Sequence, residues 1–309
     1  MSAAITLAQV SKRYRKSWIG KDFTAVDNIS LEVSQGESFG FIGPNGAGKS
    51  TTIKILTGGL SPTEGEARLF NVPVIDYRAR IGLGYVPENP ALPDYMTPLE
   101  ILRMGVKLHR IAVSDEQRHC MEWLERFQLG AVAGKNIRGF SKGMVQRTSL
   151  AHALAVKPRL LILDEPLSGL DPIGRRDVVE ILGDYKRDGG TLFFSSHVLH
   201  DVERLADRYG LIHQGRLRAV SSPAELVGHD EQVTIRSSGG TRVGGQVAEP
   251  GGRWVWELAQ AEIWPALDMV RSAGQELVEI RPRLSLEAAF MRVVEQTASA
   301  GGSSARPSP

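Results

Sequence analysis

Cysteine is almost missing. Cys120 stands alone in 309 residues, so no disulfide framework and no cysteine-based zinc site can be assembled within the chain. A reducing compartment suits that usage. Long apolar runs are missing as well: nothing approaches the roughly 18 consecutive apolar residues that a membrane-spanning helix requires. The first residues, MSAAITLAQVSKRY, also lack the apolar core of a signal segment. The chain is therefore not expected to cross a membrane alone. Excess charge of one sign is absent too. With 37 Lys and Arg against 35 Asp and Glu the net charge is +2, which argues against a strongly basic nucleic-acid binder and against an acidic tail protein. No internal repeat is visible. What remains is an ordinary globular composition, 42% hydrophobic and 23% charged, long enough for one large domain and a smaller one.

Alternation of apolar and polar residues at Ile5, Leu7 and Val10, and again at Ile29, Leu31 and Val33, predicts two strands, with RKSWIGKDFTAVD between them read as a loop. ESFGFIG predicts a third strand running into PNGAGKSTTIKILTG, where Gly and Asn make a tight turn and a helix begins near Lys49. From about Leu99 to Ala155 the pattern is mostly helical. Ser114-Asp115-Glu116-Gln117 reads as a capped start before Met121, Leu124, Phe127 and Leu129. RLLILDEP and TLFFSSH are short continuous apolar runs suited to a sheet covered on both faces, followed by helices over Arg175 to Arg187 and Val198 to Asp207. The expected fold class is α/β: a parallel core with a helical insertion (about 89–155) and an antiparallel β edge, filling 1–222.

Composition shifts after Pro223. SSGGTRVGGQVAEPGG is too rich in glycine for long helices, each interior Gly costing about 1 kcal/mol relative to Ala. EQVTIR and RWVWEL alternate, while Ile263 to Ser272 and Leu286 to Gln296 have helical spacing, so 223–296 is expected to form a small α+β domain. Trp254 and Trp256 fall on one face of the second of these strands and read as its core. TASAGGSSARPSP, residues 297–309, offers no apolar content to bury and is expected to be disordered.

The strongest local signal is Gly43-Pro44-Asn45-Gly46-Ala47-Gly48-Lys49-Ser50, which satisfies G-x-x-x-x-G-K-[ST] between an apolar strand and a helix. Such glycines let backbone N–H groups turn inward around phosphates, aided by the positive end of the following helix. Lys49 would reach the β and γ phosphates, the Ser50 hydroxyl would ligate Mg²⁺, and Thr51 would serve the α phosphate. A nucleoside triphosphate is the implied ligand. Downstream, Leu160-Leu161-Ile162-Leu163-Asp164-Glu165 is an apolar strand ending in two carboxylates, where a parallel sheet presents residues to its ligand crevice. Asp164 would hold Mg²⁺ through its water shell, and Glu165 would act as general base on the attacking water.

Taken in order, GPNGAGKST, YVPE, FSKGMVQR, LLILDEP, SGLD and SSH resemble the motifs of the ATP-binding cassette (ABC) ATPases over roughly residues 3–222. The most diagnostic is FSKGMVQR, similar to that family's LSGGQxQR signature. The resemblance implies a RecA-like P-loop NTPase core, ATP and Mg²⁺ as cofactors, and two cassettes that close head to tail. Ser141 and Gly143 of one subunit would then cap the ATP held by the other. It further implies that Tyr14 stacks on adenine, with Trp18 and Phe23 as competitors. Glu88 takes the place of a metal-sensing glutamine, Asp171 communicates across the dimer, and His197 bonds the γ phosphate and orients the water. Lys142 and Met144 depart from the family pattern, whereas Ser141 and Gly143 keep it.

Glu88, the FSKGM variant and the short C-terminal extension resemble cassettes that serve separately encoded ABC-2 type permeases. An exporter subunit is thus implied, a homodimer or a cassette heterodimer, seated on the cytoplasmic face of the membrane through its permease. NPALPDYMTPLEIL, Asn89 to Leu102, is read either as part of the permease-receiving groove or as a loop over the core. Two alternatives stay open: an ATPase that signals to a membrane complex without moving substrate, and a nucleotide kinase, for which no acceptor site is apparent.

Overall fold

The computed structural model describes residues 2–15, 22–222, 225 and 232–282. The chain divides into two compact units, Met1–Val220 and Ser221–Pro309. The expected helix Leu286 to Gln296 and the tail 297–309 lie outside the described residues.

The first unit opens with two long antiparallel strands, β1 (Ala3–Tyr14) and β2 (Phe23–Ser34). The stretch expected to be a loop includes Phe23–Asp27, which instead begin β2. The register pairs Arg13 with Thr24 and Tyr14 with Phe23, so pairing carries both strands past their buried residues to the hairpin end. Beside β1 lie β4 (Glu64–Leu69) and β5 (Val72–Pro73), neither predicted, giving the order β2-β1-β4-β5. Between them Phe70 and Asn71 both have positive φ, the geometry of a two-residue hairpin loop, without the glycine that normally announces one.

A second sheet has the order β10-β9-β3-β8-β7-β6: β3 (Ser38–Ile42), β6 (Leu83–Val86), β7 (Leu160–Leu163), β8 (Thr191–Ser196), β9 (Arg208–His213) and β10 (Arg216–Ser221). Pairing from β9 through β3, β8 and β7 to β6 is parallel. Every residue of β3, β7 and β8 is buried, which is why these strands read as continuous apolar runs rather than alternating ones. Phe39 stacks on Phe193 with centroids 5.8 Å apart, and Phe41 meets the same ring at 5.5 Å. Full burial of each such ring stabilises the fold by about 1.5–3 kcal/mol.

Helix α1 (Lys49–Leu56) follows β3. The stretch expected to be largely helical to Ala155 contains three α-helices with loops and 3₁₀ turns between them. They are α2 (Pro98–Leu108), started by a Thr97–Glu100 capping box; α3 (Glu116–Arg126), capped by Asp115; and α4 (Lys142–Ala155), capped by Ser141. These helices pack on one another, and α4 also packs on β6. After β7 comes α5 (Pro172–Arg187), capped by Asp171. After β8 comes α6 (Leu199–Leu205), shorter than expected because Ala206 returns to extended backbone.

In the second unit β11 (Gln232–Ser238), β12 (Val247–Glu249), β13 (Arg253–Ala259) and β14 (Glu276–Pro282) form a sheet in the order β12-β13-β11-β14. Helix α7 (Ile263–Ser272) covers one face, burying Ala266 against Val233, Ile235 and Leu258. Trp254 and Trp256 pair with Ser237 and Ile235, whose side chains are buried, and Trp256 packs against this core. Trp254 instead donates its indole N–H to the Gly239 carbonyl at 3.0 Å.

Candidate nucleotide site

At the C-terminal end of β3 the backbone turns sharply because glycine permits it. Gly48 has φ 109° and caps α1, and a Cβ there would lie 2.4 Å from the Ala25 carbonyl oxygen. Pro44, Asn45, Gly46, Ala47, Gly48, Lys49, Ser50 and Thr51 then line a cavity of about 370 Å³, together with Phe23, Ala25, Glu88, Glu165 and His197. Gly43 sits just behind, where an added Cβ would meet the Ile212 carbonyl at 2.3 Å.

Lys49 is buried, and its ammonium donates to the Gly43 carbonyl at 2.7 Å. The same nitrogen lies 3.3 Å from Glu165 Oε1, which accepts no other hydrogen bond. The other carboxylate oxygen, Oε2, is 2.8 Å from His197 Nδ1. One carboxylate thus sits between a cation and an imidazole at the wall of the cavity. Its backbone is unusual: Glu165 has φ 49°, left-handed for a residue other than glycine. Ser195 holds this turn from β8. Its hydroxyl donates to Asp164 Oδ1 at 2.6 Å and accepts from the Glu165 N–H at 2.9 Å. Asp164 is buried, and its N–H donates to the Val86 carbonyl at 2.9 Å. Burial pushes the nearby Tyr85 phenol up, and the Asp164 charge adds to that shift.

Ser195 is the contributor that sequence reading passed over. It stood inside the SSH motif, yet a hydroxyl on a fully buried strand carries no periodic signal. The aromatic candidates are placed differently from one another. Phe23, 54% exposed, lines the cavity. Tyr14 is its register partner on β1, is not among the lining residues and lies beneath the Lys12 ammonium, 5.6 Å from the ring centre. Trp18 is outside the described residues.

Ser141, Gly143 and Asp171 are not brought into this cavity. Ser141 caps α4, its hydroxyl accepting from the Met144 N–H at 3.3 Å. Gly143 runs so close to the loop before α5 that a Cβ would stand 3.2 Å from the Gly169 carbonyl. Asp171 caps α5 through the Gly174 N–H at 3.0 Å. The P-loop wall and the FSKGM helix start are therefore two separate surfaces of one chain.

A family model described as ABC transporter matches residues 26–168. An uncharacterized ABC transporter ATP-binding protein of Nostoc sp. strain PCC 7120 is 35% identical over 304 residues, 95% of this chain and 90% of that protein. The chain belongs to the ATP-binding proteins of ABC transporters. Nod factor export ATP-binding protein I of Rhizobium meliloti is 36% identical over 234 residues, 75% of this chain and 68% of its own. The dimeric structure of MJ0796, a bacterial ABC transporter cassette, aligns with TM-score 0.65 at 25% identity, covering 71% of this chain and 98% of that one. As an ABC transporter subunit this chain is an ATPase with a P-loop fold, and the cavity at Lys49 is its candidate nucleotide site.

Proposed function

We propose that two copies of this ATPase, or one copy and a related cassette, close head to tail on ATP and energise export through a separately encoded ABC-2 type permease. The observation that carries the reading is the division of phosphate-binding elements. Lys49, Glu165 and His197 share one cavity, whereas Ser141 and Gly143 lie outside it. A second subunit supplying Ser141 and Gly143 would complete the enclosure of the γ phosphate. In that closed state the P-loop N–H groups, Lys49 and the start of the partner's α4 stabilise phosphate charge, the main demand of phosphoryl transfer. Asp171 communicates across that junction in this reading.

Entry of the triphosphate draws Lys49 toward the β and γ oxygens, so the Lys49–Glu165 ion pair is exchanged for Lys49–phosphate. Glu165, relieved of that cation, takes a proton from the attacking water as the water oxygen bonds to phosphorus and the bond to the ADP oxygen breaks. His197 holds the carboxylate in place. Ser50, Glu88 and Asp164 are hard-oxygen donors suited to Mg²⁺. Among the described residues no cluster of three or more acidic, His or Cys side chains forms, which fits an ion held mostly by phosphate and water. When bound, Mg²⁺ neutralises charge on the β and γ phosphates. Glu88 adds a full negative charge where an amide would add none. Glu88→Gln is expected to tighten binding of metal-free ATP about tenfold while changing Mg-ATP affinity by less than about threefold. Titration of a fluorescent ATP analogue with and without chelator measures both.

We assign adenine stacking to Phe23 in place of Tyr14, on its position in the cavity wall. Phe23→Ala is expected to raise KM for ATP about tenfold with kcat nearly unchanged, since stacking of one base on an aromatic ring is worth about 1–3 kcal/mol. Tyr14→Ala serves as the control, and a larger effect there reverses the assignment.

Export is supported by the likeness to the Nod factor export protein. Among the described residues no helix is long and apolar enough to cross a membrane. In this reading the chain docks on the cytoplasmic face of its permease through Asn89 to Leu102, where Tyr95 is 75% exposed. The test is purification of the tagged chain from membranes after crosslinking, with flux measured in inverted vesicles. A polytopic partner and flux that requires Lys49 are expected. Hydrolysis without either would remove the transport coupling and favour a signalling ATPase.

A further inference from the structure

Arg147 lies in α4, six residues beyond Ser141, and only 19% of its side chain is exposed. Its guanidinium forks between two elements. Nη1 donates to Gln128 Oε1 at 3.2 Å, just past the end of α3, and Nη2 donates to Asp171 Oδ1 at 3.2 Å, at the cap of α5. Gln128, itself in left-handed backbone, extends the connection by donating to Asp177 Oδ2 of α5 at 2.5 Å. The first turn of α5 is shaped around this contact. Gly174 occupies it, although glycine is a poor helix former. An added Cβ there would stand 2.3 Å from Arg147 Nη2 and 2.6 Å from Asp171 Oδ1. Glycine leaves the space that the guanidinium fills.

Resting on the head-to-tail reading above, we propose that Arg147 is a positioning residue: it fastens the Ser141–Gly143 helix start and the Asp171 turn together as one rigid piece, presented in fixed register to the partner subunit's ATP. The planar fork suits the task because it reaches a carboxylate and an amide at once, which a lysine ammonium does not do with the same geometry. Asp171 alone is a poor anchor. Its carboxylate is 62% exposed, and apart from the Gly174 N–H its contact is Arg147. Loss of the fork leaves Ser141, Gly143 and Asp171 in place individually and frees them to move relative to each other. Misplacement of about 1 Å at a reacting phosphate can cost on the order of 10²-fold in rate.

The experiment uses the full-length chain carrying Glu165→Gln, with ATP-driven dimerisation followed by analytical ultracentrifugation and nucleotide binding to the monomer measured separately. Adding Arg147→Ala is expected to weaken dimerisation about tenfold or more, with monomer ATP affinity within about twofold, because the P-loop cavity does not include Arg147. Gly174→Ala retains every charged group and displaces the guanidinium, so it should reproduce the defect and decides the matter where Arg147→Ala folds poorly. Arg147→Lys should recover part of it. Dimerisation like the parent's in Gly174→Ala and Arg147→Ala overturns the proposal. Equal loss of monomer ATP binding also overturns it, since Arg147 would then only support the fold. If the Glu165→Gln parent itself fails to dimerise with ATP, the head-to-tail reading falls, and this inference with it.

Discussion

Glu165→Gln is expected to reduce ATP turnover by about 10²–10⁴-fold, the usual contribution of a positioned general base, while ATP binding is kept or strengthened. The substitution is close to isosteric. A glutamine amide would keep a polar partner for His197, whose Nδ1 is 2.8 Å from Glu165 Oε2, and would fill the same wall of the cavity. What disappears is the acceptor for the water proton and the negative charge 3.3 Å from Lys49. Without that charge Lys49 no longer has to exchange a carboxylate for phosphate, so ATP meets less competition. Binding without hydrolysis should then accumulate a long-lived dimer on gel filtration, dispersed when ATP is removed. A Glu165→Gln chain that hydrolyses ATP at the parent rate would falsify the general-base assignment. Slow turnover without a dimer would leave the base in place and sink the closure step.

The parts of this site that were legible in the sequence are those whose spacing phosphate geometry dictates. Gly43 to Ser50 must wrap an anion at the end of a strand, so glycines, lysine and hydroxyl fall at fixed intervals, and the structure gathers them at one cavity. Asp164 and Glu165 were legible because four buried apolar residues immediately precede them. What stayed hidden depends on pairing between distant segments. Phe23 was named only as a competitor of Tyr14, because its place in the cavity wall comes from the β1–β2 register, which local alternation does not encode. Ser195 bridges the N–H of one residue and the carboxylate of another, 30 and 31 positions away. Arg147 finds its partners 19 and 24 positions off. In the fold, β4, β5, β6, β9, β10 and β14 were missed for a different reason. Turns such as Phe70-Asn71, and Gln214 ahead of Gly215, place non-glycine residues at positive φ, so composition marks the strand ends there poorly.

Lys49→Met carries the second large effect, and it acts on both stability and function. In the folded chain the Lys49 ammonium and the Glu165 carboxylate are each about nine-tenths buried, and Oε1 has no other partner. Removing the cation strands the carboxylate. Breaking one member of a buried pair costs about 3–5 kcal/mol, the lower figure being apt beside an open cavity. At about 2–4 °C per kcal/mol for a unit of this size, the melting temperature should fall by about 6–12 °C. Turnover should be lost by a factor of about 10³ or more, because the γ phosphate loses its charged contact in the transition state. The two effects separate in a double variant. Lys49→Met with Glu165→Gln removes both charges, so the stranded carboxylate is gone and most of the melting temperature should return. Turnover should not recover, since neither the phosphate contact nor the base is restored. That non-additivity, read from thermal melts of four chains, is the signature of a direct pair. Additive losses of stability would mean that Lys49 and Glu165 do not meet in the nucleotide-free protein, and the exchange of carboxylate for phosphate at Lys49 would have to be abandoned.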